Sequence, residues 1–133
     1  MSIETGLRTQ LVNNTAVAAI VGSRVYPVKM PLGYTLPCIS YQRISSERYP
    51  FLDGPSGRVI PRFQVDCYAE SYSDVRELAE KVRLALDGFK GALGSEAHVG
   101  GISIQSERDL WEDNTEVFRV TQDYLVPHIE TTT

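Results

Sequence analysis

The stretch RVIPRFQVDCYAESYSDVRELAEKVRLALDG, residues 58–88, carries two hydrophobic periods in succession. Over Arg58–Tyr68, Val59, Phe63, Val65 and Cys67 point one way while Arg62, Gln64 and Asp66 point the other. That alternation is the signature of a strand with one buried and one wetter face. Pro61 sits inside the run and cannot donate a ladder hydrogen bond, which predicts an edge position or a bulge. Beyond it the period lengthens: Val75, Leu78, Ala79, Val82, Ala85, Leu86 and Phe89 recur at three- and four-residue steps and form one apolar stripe. Ser71 followed by Asp74 approximates a capping box, and Gly88 is a natural stop. Arg76–Glu80 and Glu77–Lys81 are predicted as exposed i,i+4 pairs, worth roughly a few tenths of a kcal/mol each. A half-buried strand running into an amphipathic helix predicts a sheet with helices on one face.

Working outward, Cys38–Arg48 suits a second strand through Ile39, Tyr41 and Gln42-Arg43-Ile44, and Asp53-Gly54-Pro55-Ser56-Gly57 supplies turn chemistry between the two. The expected result is a hairpin with a long tip. Ahead of it, Ile3, Leu7 and Leu11 at four-residue spacing, with Ser2 as cap, predict a helix that Asn13-Asn14 interrupts; a second helical piece, Thr15–Val21, stops at Gly22. Tyr26–Gly33 contains two prolines and a glycine and reads as a long loop. On the C-terminal side a Gly-rich linker leads to Val99–Leu110 and Glu116–Pro127, a second hairpin turning at Glu112-Asp113-Asn114-Thr115, with Phe118, Val120, Tyr124 and Val126 on one face. The fold class expected is therefore α+β: an antiparallel sheet of about four strands from two hairpins, in the order α-β-β-α-β-β, with helices packed on one face. One domain spans residues 1–130, and Thr131–Thr133 reads as a frayed tail.

The chain has 133 residues, 42% of them hydrophobic and 23% charged, ordinary globular composition for one domain. No apolar run approaches the ~20 residues a bilayer span needs, and the first residues lack a secretory signal, so a cytosolic folding compartment and no membrane partner are expected. A formal charge of −4 with scattered Lys and Arg argues against a free-standing nucleic-acid binder. Cys38 and Cys67 have no CxxC spacing, and both are expected as small buried apolar residues on strands of one hairpin.

The search for chemistry returns little. A nucleophilic triad needs His, and the chain has only His98, expected in a flexible linker, and His128, expected solvated near the end. Glu107, Asp109, Glu112 and Asp113 read as a solvated hairpin end rather than a metal site, which requires converging oxygen ligands. The glycines Gly88, Gly91, Gly94 and Gly100-Gly101 are spaced as a linker, not as a phosphate-binding motif. No catalytic residue, cofactor or metal is expected.

What does stand out is aromatic and apolar material in predicted loops: Tyr26, Met30, Leu32, Tyr34, Tyr49, Phe51 and Leu52. Two explanations stand side by side. The loops fold back onto the sheet, scattered exposed apolars being common, or the tip Arg48–Arg58 and the loop Val25–Leu36 contact neighbouring subunits, where Tyr, Phe and Met are enriched.

Read in order, Arg24-Val25-Tyr26-Pro27, Leu36-Pro37, Tyr41-Gln42-Arg43-Ile44, Leu52-Asp53-Gly54-Pro55-Ser56-Gly57, Gln64-Val65-Asp66-Cys67-Tyr68-Ala69, Leu86-Asp87-Gly88-Phe89 and Glu107-Arg108-Asp109-Leu110-Trp111-Glu112 resemble the tail-completion proteins of long-tailed bacteriophages. The resemblance covers nearly the whole chain. It implies a non-enzymatic structural protein of the virion, sitting at the head-proximal end of the tail, capping the tail tube and helping join it to the head–tail connector. It also implies a closed ring, commonly a hexamer, through which DNA passes as cargo, assembled in the host cytoplasm. A ring needs two different complementary patches per subunit that close by rotation, and a channel poor in Lys and Arg would not hold passing DNA. The alternative from element order is a ligand-binding regulatory domain of permuted ferredoxin-like topology, a fold analogy only.

Overall fold

The alternating stretch becomes the middle of the sheet. The computed structural model describes residues 3–51, 54–93, 97–112 and 116–129. Three helices, α1 (Ile3–Asn13), α2 (Thr15–Val21) and α3 (Tyr72–Leu86), accompany strands β1 (Val25–Pro27), β2 (Cys38–Phe51), β3 (Gly54–Ala69), β4 (Gly91–Leu93), β5 (Ala97–Val99), β6 (Ser103–Glu112), β7 (Val117–Leu125) and β8 (His128–Ile129). β3 pairs antiparallel with β2 along one side and with β7 along the other, and β6 completes the second hairpin on β7. The two hairpins therefore join through β3 and β7 in the interior of the sheet, and the α+β class with helices on one face holds.

The detail departs from expectation in three places. β1 lies inside the predicted loop and pairs parallel with β2, Val25 opposite Ile39, so the sheet is mixed. The predicted Gly-rich linker supplies β4 and β5, which continue the sheet through β8. Its apolar residues explain why: Val99 and Ile102 are fully buried, and Ile102 is tied to the end of α3 by hydrogen bonds from its own N–H to Phe89 O and from Gly88 N–H to its carbonyl. Finally, Gly54–Gly57 is strand rather than turn, since β2 and β3 stay paired out to Phe51 opposite Gly54. A register shift between Tyr49 and Pro50 and two Cβ-less residues let the ladder run through a proline-containing segment. Pro61 is not on an edge; it sits where β7 stops pairing at Arg62, next to the β2 register shift between Arg43 and Ser45.

The helices form as read, with sharper ends. Asn14 caps α2, its side chain accepting from Val17 N–H, and Gly22 ends it at φ +61°, a left-handed conformation that glycine adopts freely. Ser71 caps α3 by accepting from Asp74 N–H at 3.2 Å. Ile3, Leu7 and Leu11 of α1, Val17 and Val21 of α2, and Val75, Leu78, Val82 and Leu86 of α3 bury against Ile39, Phe63, Val65, Cys67, Val120 and Tyr124 of the sheet. Each such side chain contributes roughly 1.5–3 kcal/mol by leaving water.

The other sheet face is polar yet partly closed. Asp66 is 5% exposed and its carboxylate accepts from Thr121 Oγ1 at 2.7 Å, Gln64 Nε2 at 2.9 Å and Arg119 Nη2 at 3.1 Å. That is the company a buried carboxylate requires. Cys38 and Cys67 are both buried, but Cys38 stands opposite Tyr68 and Cys67 opposite Ile39, which puts the two thiols on opposite faces. His128, expected in solvent, is buried with Nδ1 3.0 Å from the Val126 carbonyl; β8 needs that position against β3. His98 lies in β5 rather than in a flexible linker. The expected Ser2 cap, the Asp113–Thr115 turn and the Thr131–Thr133 tail lie outside the described residues.

Candidate functional site

The residues predicted as contact surface separate into groups. Tyr26 belongs to β1, and Tyr26, Met30 and Tyr34, together with Leu36, fold back onto Cys38, Tyr68 and Val117 on the sheet face away from the helices. Met30 Sδ lies 3.0 Å from Cys38 Sγ. Leu32 does the opposite: at 102% exposure it touches nothing that would shield it. Tyr49 and Phe51 are not loop residues but members of β2, and Leu52 lies outside the described residues. Fold-back thus accounts for Tyr26, Met30 and Tyr34, while Leu32 remains a surface feature.

The loop that carries Leu32 is held at its base. Val28 N–H donates to Tyr41 O and Lys29 N–H to Pro27 O, both at 2.7 Å. Val28 adopts φ +65°, which costs a β-branched residue about 1–2 kcal/mol. The tip Val28–Leu32 is accordingly a set shape rather than a random one, with Val28 67% exposed beside Lys29.

A second exposed apolar group was not legible as a cluster in the sequence. Trp111 at the end of β6 is 48% exposed and packs 4.6 Å from Phe118 of β7, which meets Tyr72 at the start of α3 edge-on at 6.0 Å. Trp111 and Phe118 stand opposite each other in the β6–β7 register. The signal available was Trp111 two residues beyond Asp109 on one strand face, but Tyr72 joins only through the fold.

Beneath these aromatics runs a polar network that replaces the predicted solvated hairpin end. Arg76 spans Asp109 and Glu107 with 3.2 Å contacts to each, Tyr72 O–H donates to Asp109 at 2.7 Å, and Gln122 Nε2 donates to Glu107 at 2.6 Å and to Ala79 O at 3.0 Å. Tyr124 O–H donates to Gln122 Oε1 at 2.7 Å. Arg76 is thus taken from the predicted Glu80 pair, Glu80 pairs with Arg83 at 2.6 Å instead, and among the described residues no Glu77–Lys81 pair forms. Burial pushes the Tyr124 phenol up, and donation to the Asp109 carboxylate pushes Tyr72 up. Desolvation works against the Arg76 charge, but the hydrogen bonds and fields of Glu107 and Asp109 outweigh it. Tyr72 and Tyr124 are thereby held neutral and Arg76 charged. Such a set fastens α3 to β6 and β7; it offers no poised acid, base or nucleophile.

The sheet also ends in open strands. Among the described residues β6 pairs as a strand only with β7, its Ile104 N–H being taken up by Asp87 Oδ1 at 3.0 Å, and β1 covers β2 only as far as Tyr41, so β6 and the far part of β2 present outer edges with no further strand. Between α2, α3 and the start of β2 lies a groove of about 280 Å³ lined by Ile20, Leu36, Pro37, Ala69, Glu70, Asp74 and Glu77. Its polar lining is three carboxylates on an exposed rim, not the converging donors and acceptors that fix a small ligand. Among the described residues no three His, Cys, Asp or Glu side chains gather as a metal site.

Comparison with known proteins adds three findings. The family model for tail completion protein gp17 matches residues 5–127. No curated protein sequence matches the chain. A chain in the solved virion of a native gene transfer agent (GTA) particle shares the fold with a TM-score of 0.80 at 16% identity, covering 96% of this chain and 95% of that one.

Proposed function

The chain belongs to the tail completion protein gp17 family, and from that premise we propose that it assembles as a closed ring, a hexamer, at the head-proximal end of a phage tail. Family membership makes it a non-enzymatic structural protein of the phage virion and its tail. In the proposal, the ring caps the tail tube, contacts the tail tube protein on one side and the head–tail connector protein on the other, and lets DNA through only as cargo. Assembly takes place in the host cytoplasm before the tail meets the head. The observation that carries this reading is the match across residues 5–127, which leaves almost none of the chain for another activity.

The geometry supports it in two ways. Different surfaces lie on different sides of the subunit, the exposed tip Val28–Leu32, the Trp111–Tyr72 end and the open strand edges, as a head-to-tail ring requires. The charge of −4 suits a conduit that must release DNA. The test is genetic and visual. Phage lacking this protein should yield separate filled heads and tails in electron micrographs, and added purified protein should restore joining. Complete infectious particles formed without it would overturn the proposal.

A further inference from the structure

The groove between α2 and α3 has a counterpart on the same chain. Its floor is apolar, from Ile20, Leu36, Pro37 and Ala69, and its rim is Glu70, Asp74 and Glu77. Among the described residues none of these three carboxylates has an ion-pair partner. Arg24 stands beside the groove, its guanidinium donating to Pro37 O at 2.9 Å and Ile20 O at 3.2 Å. It therefore clamps the two walls of the groove together, and one positive charge leaves the site acidic. The tip Val28–Leu32 has the inverse character: Lys29, exposed and without an ion pair among the described residues, stands between Val28 at 67% exposure and Leu32 at 102%. The tip is anchored on the sheet face away from the helices, through Met30 on Cys38, whereas the groove opens beside α2 and α3. The two patches are distinct and complementary in charge and apolarity, the groove being walled by the stem of the loop, Leu36 and Pro37, together with residues of α2 and α3.

We infer that the tip Val28–Leu32 of one copy of this chain docks into the Glu70–Asp74–Glu77 groove of the next copy, with Lys29 meeting the carboxylates and Leu32 covering the apolar floor. This rests on the ring reading and names the contact that closes it. A contact between two unlike patches is heterologous, the type that generates rings when the rotation closes. The volume is just below that of ordinary ligand pockets, roughly 300–1,000 Å³, and fits side chains of a docking segment. Because the base of the tip is already hydrogen-bonded to Pro27 and Tyr41, little order remains to be imposed on binding. Leu36 and Pro37, at the stem of the same loop, form a wall of the groove, so receiving a neighbour's tip steadies the stem that presents the subunit's own.

The test is a charge swap read by sedimentation of the full chain. K29E alone and the E70K/E77K pair alone should each weaken self-association by about tenfold or more. All three changes in one chain should recover it to within a few-fold, with melting temperatures unchanged because these side chains are exposed. L32A supplies an independent apolar arm and should weaken association while leaving its salt dependence intact. Rings that form equally well with K29E and E70K/E77K would overturn this contact and leave the ring reading standing. Absence of self-association in the unsubstituted chain, both free and with isolated tails, would remove both. Additive loss in the triple variant would also overturn the pairing.

Discussion

α3 and the loop between β1 and β2 both carry apolar side chains at high density, and the fold uses them differently. On α3 they fall at helical spacing, so one face gathers Val75, Leu78, Val82 and Leu86 and buries all of them against the sheet. In the loop no period organises them: Met30 and Tyr34 turn inward onto Cys38 and Tyr68, and Leu32 turns fully outward. Periodic apolar residues hold the subunit together, whereas the unpatterned Leu32 stays outside the fold's own packing.

That contrast can be broken most sharply in the core. L78A should cost about 2–5 kcal/mol, because the cavity cannot be filled by a rigid sheet beneath it; urea unfolding measures the change, and a loss under 1 kcal/mol would mean that α3 packs loosely. D66A comes next, at about 1–3 kcal/mol, since it removes the carboxylate that accepts from Arg119, Thr121 and Gln64 on a nearly closed face. M30A should cost about 1 kcal/mol, the partial burial of one thioether. L32A should change stability by less than about 0.5 kcal/mol, yet reduce assembly. A destabilised L32A subunit would show that the tip belongs to the fold after all. The smallest effect concerns the thiols. Burial, only partly opposed by the Arg24 charge, pushes the Cys38 thiol up to about 11, and burial raises Cys67 as well. Both stay neutral at pH 8, and the Cys38 thiolate gains population only as pH approaches 11. Alkylation of the folded protein at pH 8 should therefore be slow and become fast in denaturant; rapid labelling when folded would contradict the packing on the two faces of the β2–β3 sheet.

How legible this was in the sequence follows the same division. Wherever period and caps agreed, as in Ser71–Gly88 or Arg58–Tyr68, the residues stand where their pattern places them. Gly54–Gly57 looked like a turn because glycine and proline favour one, but the long β2–β3 ladder overrides that local preference. The run from Gly88 to Gly101 looked like a linker because of its five glycines, while Val99 and, just beyond it, Ile102 are buried against the sheet. Arg76 sits one helical turn before Glu80 yet reaches Glu107 and Asp109 across the tertiary contact, geometry that no local spacing encodes. The packing of the loop was half legible. An aromatic-rich loop was evident, but only three-dimensional packing distinguishes the inward Tyr26, Met30 and Tyr34 from the outward Leu32.

The most direct test of the central claim is the mass of the purified chain in solution, with and without isolated tails. The proposed ring has a mass six times that of the 14.8 kDa subunit, and is expected either freely at high concentration or upon tail ends. A 14.8 kDa species that stays monomeric at every concentration and ignores tails would contradict it.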